Sequence, residues 1–121
     1  MKKILPQMLL FCIFINQLAF AQSTTPPIQW QKAYGGTKND GVFSIKQTAD
    51  GYIMTGYTGR SDGDVSGNHG GADGWVFKTD NWGVIQWKKC IGGTKDEVFD
   101  AVQTTTDGGF ILCGRVVNSL H

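Results

Sequence analysis

The chain repeats itself at a spacing of 57 residues, and this periodicity limits the folds open to it more than any other feature. Residues 28–30 (Ile-Gln-Trp) recur at 85–87, and residues 35–38 (Gly-Gly-Thr-Lys) recur at 92–95. Further matches follow in the same order: residues 42–43 with 98–99, 47–48 with 103–104, 50–53 with 107–111, and Gly56 with Gly114. A period of this length indicates one structural unit built twice, with the second copy cut short.

Within each unit the apolar residues alternate with polar ones, which is typical of half-buried β-strands. Turn sequences rich in Gly, Asp and Asn separate these segments. We predict seven strands, over residues 28–34, 42–48, 52–58, 74–79, 84–91, 98–105 and 109–116. The predicted core consists of Ile28, Trp30, Phe43, Ile45, Ile53, Trp75, Phe77, Ile85, Trp87, Phe99, Phe110 and Leu112.

The amino terminus predicts export. Two lysines are followed by an apolar run over residues 8–15 and by the small-x-small sequence at residues 19–21. The run is too short to span a bilayer, which takes ~20 apolar residues. We therefore expect a signal peptide over residues 1–21, no membrane span after cleavage, and a secreted protein in the periplasm, at the cell surface or outside the cell.

Composition after the predicted cleavage favours strands and argues against nucleic acid. All 17 glycines lie beyond residue 21, as expected for short strands joined by tight turns. That part of the chain carries nine basic and ten acidic side chains. A nearly neutral chain without a basic cluster lacks the positively charged surface that binds nucleic acid.

The repeats resemble those of secreted bacterial β-propeller proteins of the SBBP-like type. The phrases that carry the resemblance lie at residues 28–36, 43–59, 61–83 and 85–93. In those proteins they run close to W-Q-K-x-x-G-G, S-I-Q-Q-T-x-D-G-G-Y-I and D-G-D-V-S-G-N-H-G-G. The resemblance covers residues 28–116 and implies a repeat that occurs many times in a large exported or surface protein.

We therefore predict an all-β protein with antiparallel β-propeller-type blades, in about one and three-quarter repeats. The predicted divisions are a short linker at 22–27, a first repeat at 28–84, a second, incomplete repeat at 85–116 and a tail at 117–121. A propeller takes at least four blades to close. Three alternatives stay open: a fragment of a larger propeller, association with copies of itself or other β-repeat chains, and a twisted sheet or small sandwich that folds alone.

The loop at residues 61–73 matches the pattern of a twelve-residue calcium loop. With Asp62 as position 1, the ligand positions are Asp62, Asp64, Ser66, Asn68 and Asp73, and Gly67 takes the sharp turn. Position 12 is an Asp where the pattern has a bidentate Glu. Calcium is therefore the candidate cofactor. The competing interpretation is an Asp- and Gly-rich connection whose side chains cap backbone groups.

Other residues with potential chemistry point away from an enzyme. The turn residues Asn39 and Asp40 recur as Asp96 and Glu97, whereas an active site is a unique constellation, so no catalytic residue is predicted. Cys90 and Cys113 lie on strands with another strand between them, which predicts buried free thiols. Trp82, in a turn, is either a candidate for stacking on a sugar ring or a side chain packed over the sheet edge.

The leading functional hypothesis is an exported, non-enzymatic β-repeat protein with a structural, adhesive or ligand-binding role, acting as a fragment of or partner in a larger propeller. The alternatives are a calcium-dependent carbohydrate-binding module that uses the aspartate loop and Trp82, and a fragment of a propeller glycosidase or lyase. The predicted partners are copies of the chain, other β-repeat chains and carbohydrate.

Overall fold

The computed structural model describes residues 25–118. The strands are β1 (Asp40–Thr48), β2 (Gly51–Thr58), β3 (Asp73–Asp80), β4 (Ile85–Ile91), β5 (Asp96–Thr104) and β6 (Phe110–Val117). No helix occurs between residues 25 and 118, and all strand pairs are antiparallel, so the predicted all-β, antiparallel fold is confirmed. The described chain accordingly contains no helix long and apolar enough to cross a bilayer. The predicted signal peptide, its cleavage site and the last three residues lie outside the described residues.

The strands form two sheets. Strands β1 to β4 follow one another as a four-stranded meander, which we call sheet 1, and β5 and β6 form a hairpin, which we call sheet 2. Strand β5 lies across β1, β2 and β3, and the Val102 N–H donates to the Ser44 hydroxyl at 3.3 Å between the sheets. Sheet 2 therefore packs against one face of sheet 1.

Two apolar clusters cover the two faces of sheet 1, because successive side chains of a strand point to opposite faces. Between the sheets, Ile53, Val76 and Val102 are buried, with Phe110 and Leu112 packed against them. On the opposite face the buried cluster comprises Met54, Val65, Trp75, Phe77 and Cys90, with Tyr34, Tyr52 and Ile85 around it. The second cluster is covered by the β2–β3 loop and by the segment before β1.

Both hairpins contain a β-bulge at the same place. The pairs that flank it are Val42–Gly56 and Ser44–Thr55 in the first hairpin, and Phe99–Gly114 and Ala101–Cys113 in the second. The extra residues are therefore Phe43 and Asp100, 57 positions apart. The alignments of residues 42–43 with 98–99 and of residues 47–48 with 103–104 are each wrong by one position, because the inserted residue lies in the β5–β6 turn, where a length change disturbs no pairing. Residues of the second copy that precede this turn correspond to residues 57 positions earlier, and residues that follow it correspond to residues 58 positions earlier.

The predicted strand at residues 28–34 is wrong, since residues 25–36 form no strand. By sequence this segment corresponds to β4, which pairs with β3. Among the described residues no second copy of β3 lies beside it, so its backbone lacks the ladder that a strand requires. It lies on sheet 1 through side chains instead: the Trp30 and Tyr52 ring centroids are 6.0 Å apart.

Part of the predicted core is exposed. Ile53, Trp75 and Phe77 are buried as predicted, and Trp30, Ile85, Phe99, Phe110 and Leu112 are half-buried. The prediction is wrong for Ile28, Phe43, Ile45 and Trp87, which are 40–77% exposed. A period of two identifies the face on which a side chain lies, whereas burial depends on what covers that face.

Candidate functional site

The long loop between β2 and β3, residues 59–72, folds back onto the segment that precedes β1. Val65 anchors the loop, because its side chain is buried in the cluster around Trp75. The Asp64 N–H donates to the Gly35 carbonyl at 3.0 Å, and the Asp64 carboxylate accepts from the Gly35 N–H at 3.3 Å. The loop and the preceding segment are thus joined over a separation of 29 residues.

Asp62 holds the same two segments together through its carboxylate. It accepts a hydrogen bond from the Thr37 N–H at 2.7 Å and another from the Thr37 hydroxyl at 2.5 Å. The Thr37 hydroxyl, followed by the Thr37 N–H, lowers the pKa of Asp62, because both bonds favour the charged form. Asp62 therefore acts here as a cap for the backbone at Thr37.

Asp73, at the start of β3, organises the other end of the loop. Its side chain is fully buried and accepts from Asn68 Nδ2 at 3.1 Å, from the His69 N–H at 3.1 Å, and faces His69 Nδ1 at 2.6 Å. Asn68 Nδ2 also donates to the carbonyl of Gly71 at 2.9 Å. A buried carboxylate requires such partners, and here backbone and side-chain donors supply them.

The structure brings only part of the predicted calcium loop together. Asn68 and Asp73 are hydrogen-bonded, whereas Asp62 and Asp64 turn toward residues 35–37. Ser66 is exposed. Within residues 25–118 no group of three or more His, Cys, Asp or Glu side chains is arranged to hold a metal ion. The calcium site stays a prediction, while the observed bonds are those of a capped connection.

Trp82 lies in the turn between β3 and β4 and is 71% exposed. Asp80 shapes this turn, because its carboxylate accepts from the N–H groups of Trp82 at 2.8 Å and Val84 at 2.9 Å. The turn and the aspartate loop lie at opposite ends of β3, which at eight residues is roughly 25 Å long. One small ligand does not contact both, and sugar stacking on Trp82 stays a separate prediction.

The repeated acidic residues at the start of β1 and β5 are turn caps in both copies. The Asp40 carboxylate accepts from the Gly36 N–H at 2.7 Å, and the Glu97 carboxylate, 57 residues later, accepts from the Gly93 N–H at 3.0 Å. Asp96 ties the second copy to the long loop by accepting from the Ala72 N–H at 2.8 Å. These carboxylates therefore define the entry of each hairpin.

A cleft of about 630 Å³ opens where the β1–β2 and β5–β6 turns approach one another. Its walls include the ion pair between Lys78 Nζ and Asp50 at 2.7 Å. At its base the rings of Trp87 and Phe110 lie 6.0 Å apart. Sequence reasoning missed this cleft because it arises from the packing of one sheet on the other.

The base of this cleft repeats a contact seen elsewhere in the fold. Trp30 and Tyr52 correspond by position to Trp87 and Phe110, and their rings are also 6.0 Å apart. At the first contact Gly83 of the β3–β4 turn lies against Trp30, so closely that a Cβ on Gly83 would be 2.7 Å from the indole. Among the described residues no such turn covers Trp87. The cleft therefore lies where the β3–β4 turn stands at the equivalent contact between Trp30 and Tyr52.

No family model matches this chain, and neither do any of the curated proteins or solved structures. The resemblance to propeller repeats thus rests on the sequence phrases given above, and the repeated bulge and ring contact are independent structural observations beside it.

The two cysteines of the described chain differ in environment. Both are free, as predicted, but only Cys90 is buried; Cys113 is exposed, because no part of residues 25–118 covers its face of sheet 2. Burial, with a smaller contribution from the Asp73 carboxylate, raises the pKa of the Cys90 thiol to about 11. Cys113 is accordingly the thiol that reagents reach at neutral pH.

Replacing Thr37 with valine is expected to lower the melting temperature at pH 7 by roughly 2–4 °C, because the hydroxyl bond to the Asp62 carboxylate is lost. The folded-state pKa of Asp62 lies below its unfolded value, so this contribution is present above the unfolded pKa and disappears as the pH falls through the folded pKa. The difference between variant and parent should therefore vanish in acid. Thermal melts between about pH 2 and pH 7 measure it.

Thr94→Val is the matched control, because Thr94 stands at the corresponding place in the second copy and is exposed. We expect it to melt with the parent at every pH. Equal melting of the two variants would show that the bond from the Thr37 hydroxyl to Asp62 does not stabilise the protein.

Proposed function

We propose that this chain is an exported, non-enzymatic β-repeat protein of the propeller type, with a structural or adhesive role as part of a larger β-repeat assembly. The observation that carries the proposal is the packing of β5 across β1, β2 and β3. Face-to-face packing of successive antiparallel sheets is how propeller blades are arranged. The resemblance of residues 28–116 to propeller repeats supports the same assignment.

The internal construction of the sheets also supports it. Sheet 1 is a four-stranded antiparallel meander, which is the strand number and order of a blade. Sheet 2 has the first two strands of the same arrangement, with the bulge in the same place. Repeat units of this kind obtain their stability from neighbouring units. A chain built this way acts as a framework, and its loops are the surfaces that it presents.

Extending the sheet tests the proposal directly. Val117 corresponds to Gly59 by the offset of 58, so a second copy of residues 60–118 placed after Val117 continues the repeat in register. It supplies the third and fourth strands of sheet 2 and one further hairpin. We expect the extended protein to melt in one transition, about 5–10 °C above the parent, because each added unit contributes an interface.

The control is an extension of equal length made of glycine and serine, which stays a flexible coil and adds no sheet. We expect this control to melt at the temperature of the parent chain. The proposal fails if the repeat extension and the flexible extension melt alike, or if the repeat extension unfolds separately from the rest.

A further inference from the structure

The contact between the two sheets gives a template for a contact between two chains. At its centre Ile53 of sheet 1 is fully buried against Val102 of sheet 2, which is 1% exposed. Phe99 of β5 adds to the same contact, since its ring lies so close to Gly74 that a Cβ there would be 2.7 Å away. The contact therefore joins the β2–β3 region of one unit to the first strand of the next.

Both halves of this contact recur on the outside of the molecule. Ile111 corresponds to Ile53 by the offset of 58, and Ile45 corresponds to Val102 by the offset of 57. The strand pairing supports both correspondences. Ile53 pairs with Lys46, and Ile111 pairs with the equivalent residue, Gln103. Ile45 pairs with Met54, and Val102 pairs with the equivalent residue, Leu112. Ile111 is 63% exposed and Ile45 is 54% exposed. The chain thus presents one copy of each half: the Ile45 half lies along β1, at the open edge of a face whose centre the β2–β3 loop and the segment before β1 cover, and the Ile111 half lies on the outer face of sheet 2.

The neighbours of these two isoleucines follow the same correspondence. Val42, which corresponds to Phe99, is 44% exposed on the same strand as Ile45. Cys113, which corresponds to the fully buried Thr55, is exposed on the same strand as Ile111. The residues equivalent to those buried between the two sheets are therefore exposed on β1 and on the outer face of sheet 2.

We propose that a second copy of this chain docks head-to-tail, with the Ile45 face of sheet 1 seated on the Ile111 face of sheet 2. This inference rests on the repeat architecture proposed above and adds the partner and the interface. Sheet 1 of the second copy packs on sheet 2 of the first copy in the same way that sheet 2 packs on sheet 1 within one chain. Because the two faces differ, the contact is heterologous and propagates into open chains or closes into a ring.

Paired charge substitutions test the polarity of the contact. In sedimentation velocity at rising concentration, the parent protein is expected to form species larger than a dimer. Ile45→Glu and Ile111→Glu should each be monomeric, because a glutamate on either face leaves an unpaired charge in the interface. An equimolar mixture of the two variants retains one intact pair of faces, so it is expected to form a dimer and nothing larger.

The control is Val84→Glu, at an exposed apolar residue in the β3–β4 turn that is 50% exposed and lies outside both faces. It should assemble like the parent. Circular dichroism confirms that the variants are folded, and Ile45→Lys and Ile111→Lys provide a second pair with the opposite charge. A parent protein that stays monomeric, variants that assemble normally, or a mixture that stays monomeric would each overturn the proposal.

Thiol accessibility gives a second readout that does not depend on substitution. Cys113 lies on the face that the second copy covers, so its alkylation at pH 7.5 should slow about tenfold between dilute and assembled protein. Cys90 is the internal reference, because it is buried and its pKa is raised to about 11 in the single chain. Assembly that leaves the Cys113 rate unchanged would place the contact elsewhere and overturn the proposal. If the extended protein melts in one transition above the parent while the parent stays monomeric, the repeat architecture is supported and self-docking is rejected.

Discussion

Replacing Phe77 with alanine is expected to destabilise the protein by about 3–5 kcal/mol, a large part of the stability of a domain of this size. Phe77 is fully buried in the middle of sheet 1. Its ring stacks on Trp75 with centroids 4.2 Å apart and meets the ring of Tyr34 at 5.0 Å. Truncation removes these contacts and leaves a cavity between β3 and the segment before β1. Urea unfolding followed by tryptophan fluorescence measures the loss.

Phe43→Ala is the matched control for this prediction. The two phenylalanines have the same predicted role from the sequence, but Phe43 lies on the bulge of β1 and is 55% exposed. Its ring contact is with Tyr57, at 5.6 Å. We expect a loss of less than about 1 kcal/mol. Equal losses at the two positions would mean that the covered face of sheet 1 has been misassigned.

Replacing Gly56 with alanine is expected to cost about 3 kcal/mol, because the position has no room for a side chain. Gly56 is buried opposite the bulge of β1, and a Cβ there would overlap the carbonyl group of Gly41. The neighbour is backbone inside a paired strand, so it cannot move aside without breaking the ladder. Denaturant unfolding of Gly56→Ala against the parent measures this cost.

Gly67 and Gly114 serve as controls. A mild loss of stability is expected at Gly67, and a loss as large as that at Gly56 is expected at Gly114. Gly67 has a positive φ of 84°, and a Cβ added there would meet no other atom within 4 Å, so Gly67→Ala should cost only the conformational penalty of about 1 kcal/mol. Gly114 faces the corresponding bulge of β5, where a Cβ would overlap the carbonyl of Val98. Gly114→Ala should therefore resemble Gly56→Ala. A tolerated alanine at Gly114 would contradict the equivalence of the two bulges.

Six of the seven predicted strands are found, with ends within two residues of those expected. Their alternating apolar residues and the Gly- and Asp-rich turns between them are local properties, and local properties can be read along a chain. The segment at 28–34 has the same alternation but no partner strand among the described residues. A strand depends on its neighbour as well as on its own sequence, and that neighbour is not encoded in the segment.

The candidate site was harder to predict for a related reason. The spacing from Asp62 to Asp73 is compatible both with calcium ligation and with backbone capping. The structure pairs Asp62 with Thr37, 25 residues earlier, and Asp73 with His69, four residues earlier. Asp62 and Thr37 are brought together only by the tertiary fold, so their contact cannot be predicted from the spacing of residues along the chain. The same holds for the exposed Ile45 and buried Val102, which occupy equivalent positions and differ only in what lies above them.

The segment before β1 has a consequence for how this protein exchanges hydrogen with solvent. Residues 28–34 are held on sheet 1 by the rings of Trp30 and Tyr34 and by the Tyr34 hydroxyl, which donates to the Gly83 carbonyl at 2.7 Å. Amide protection follows hydrogen bonding of the backbone rather than the fixing of side chains. This segment should therefore be well positioned and yet exchange its amide protons far faster than the neighbouring strands.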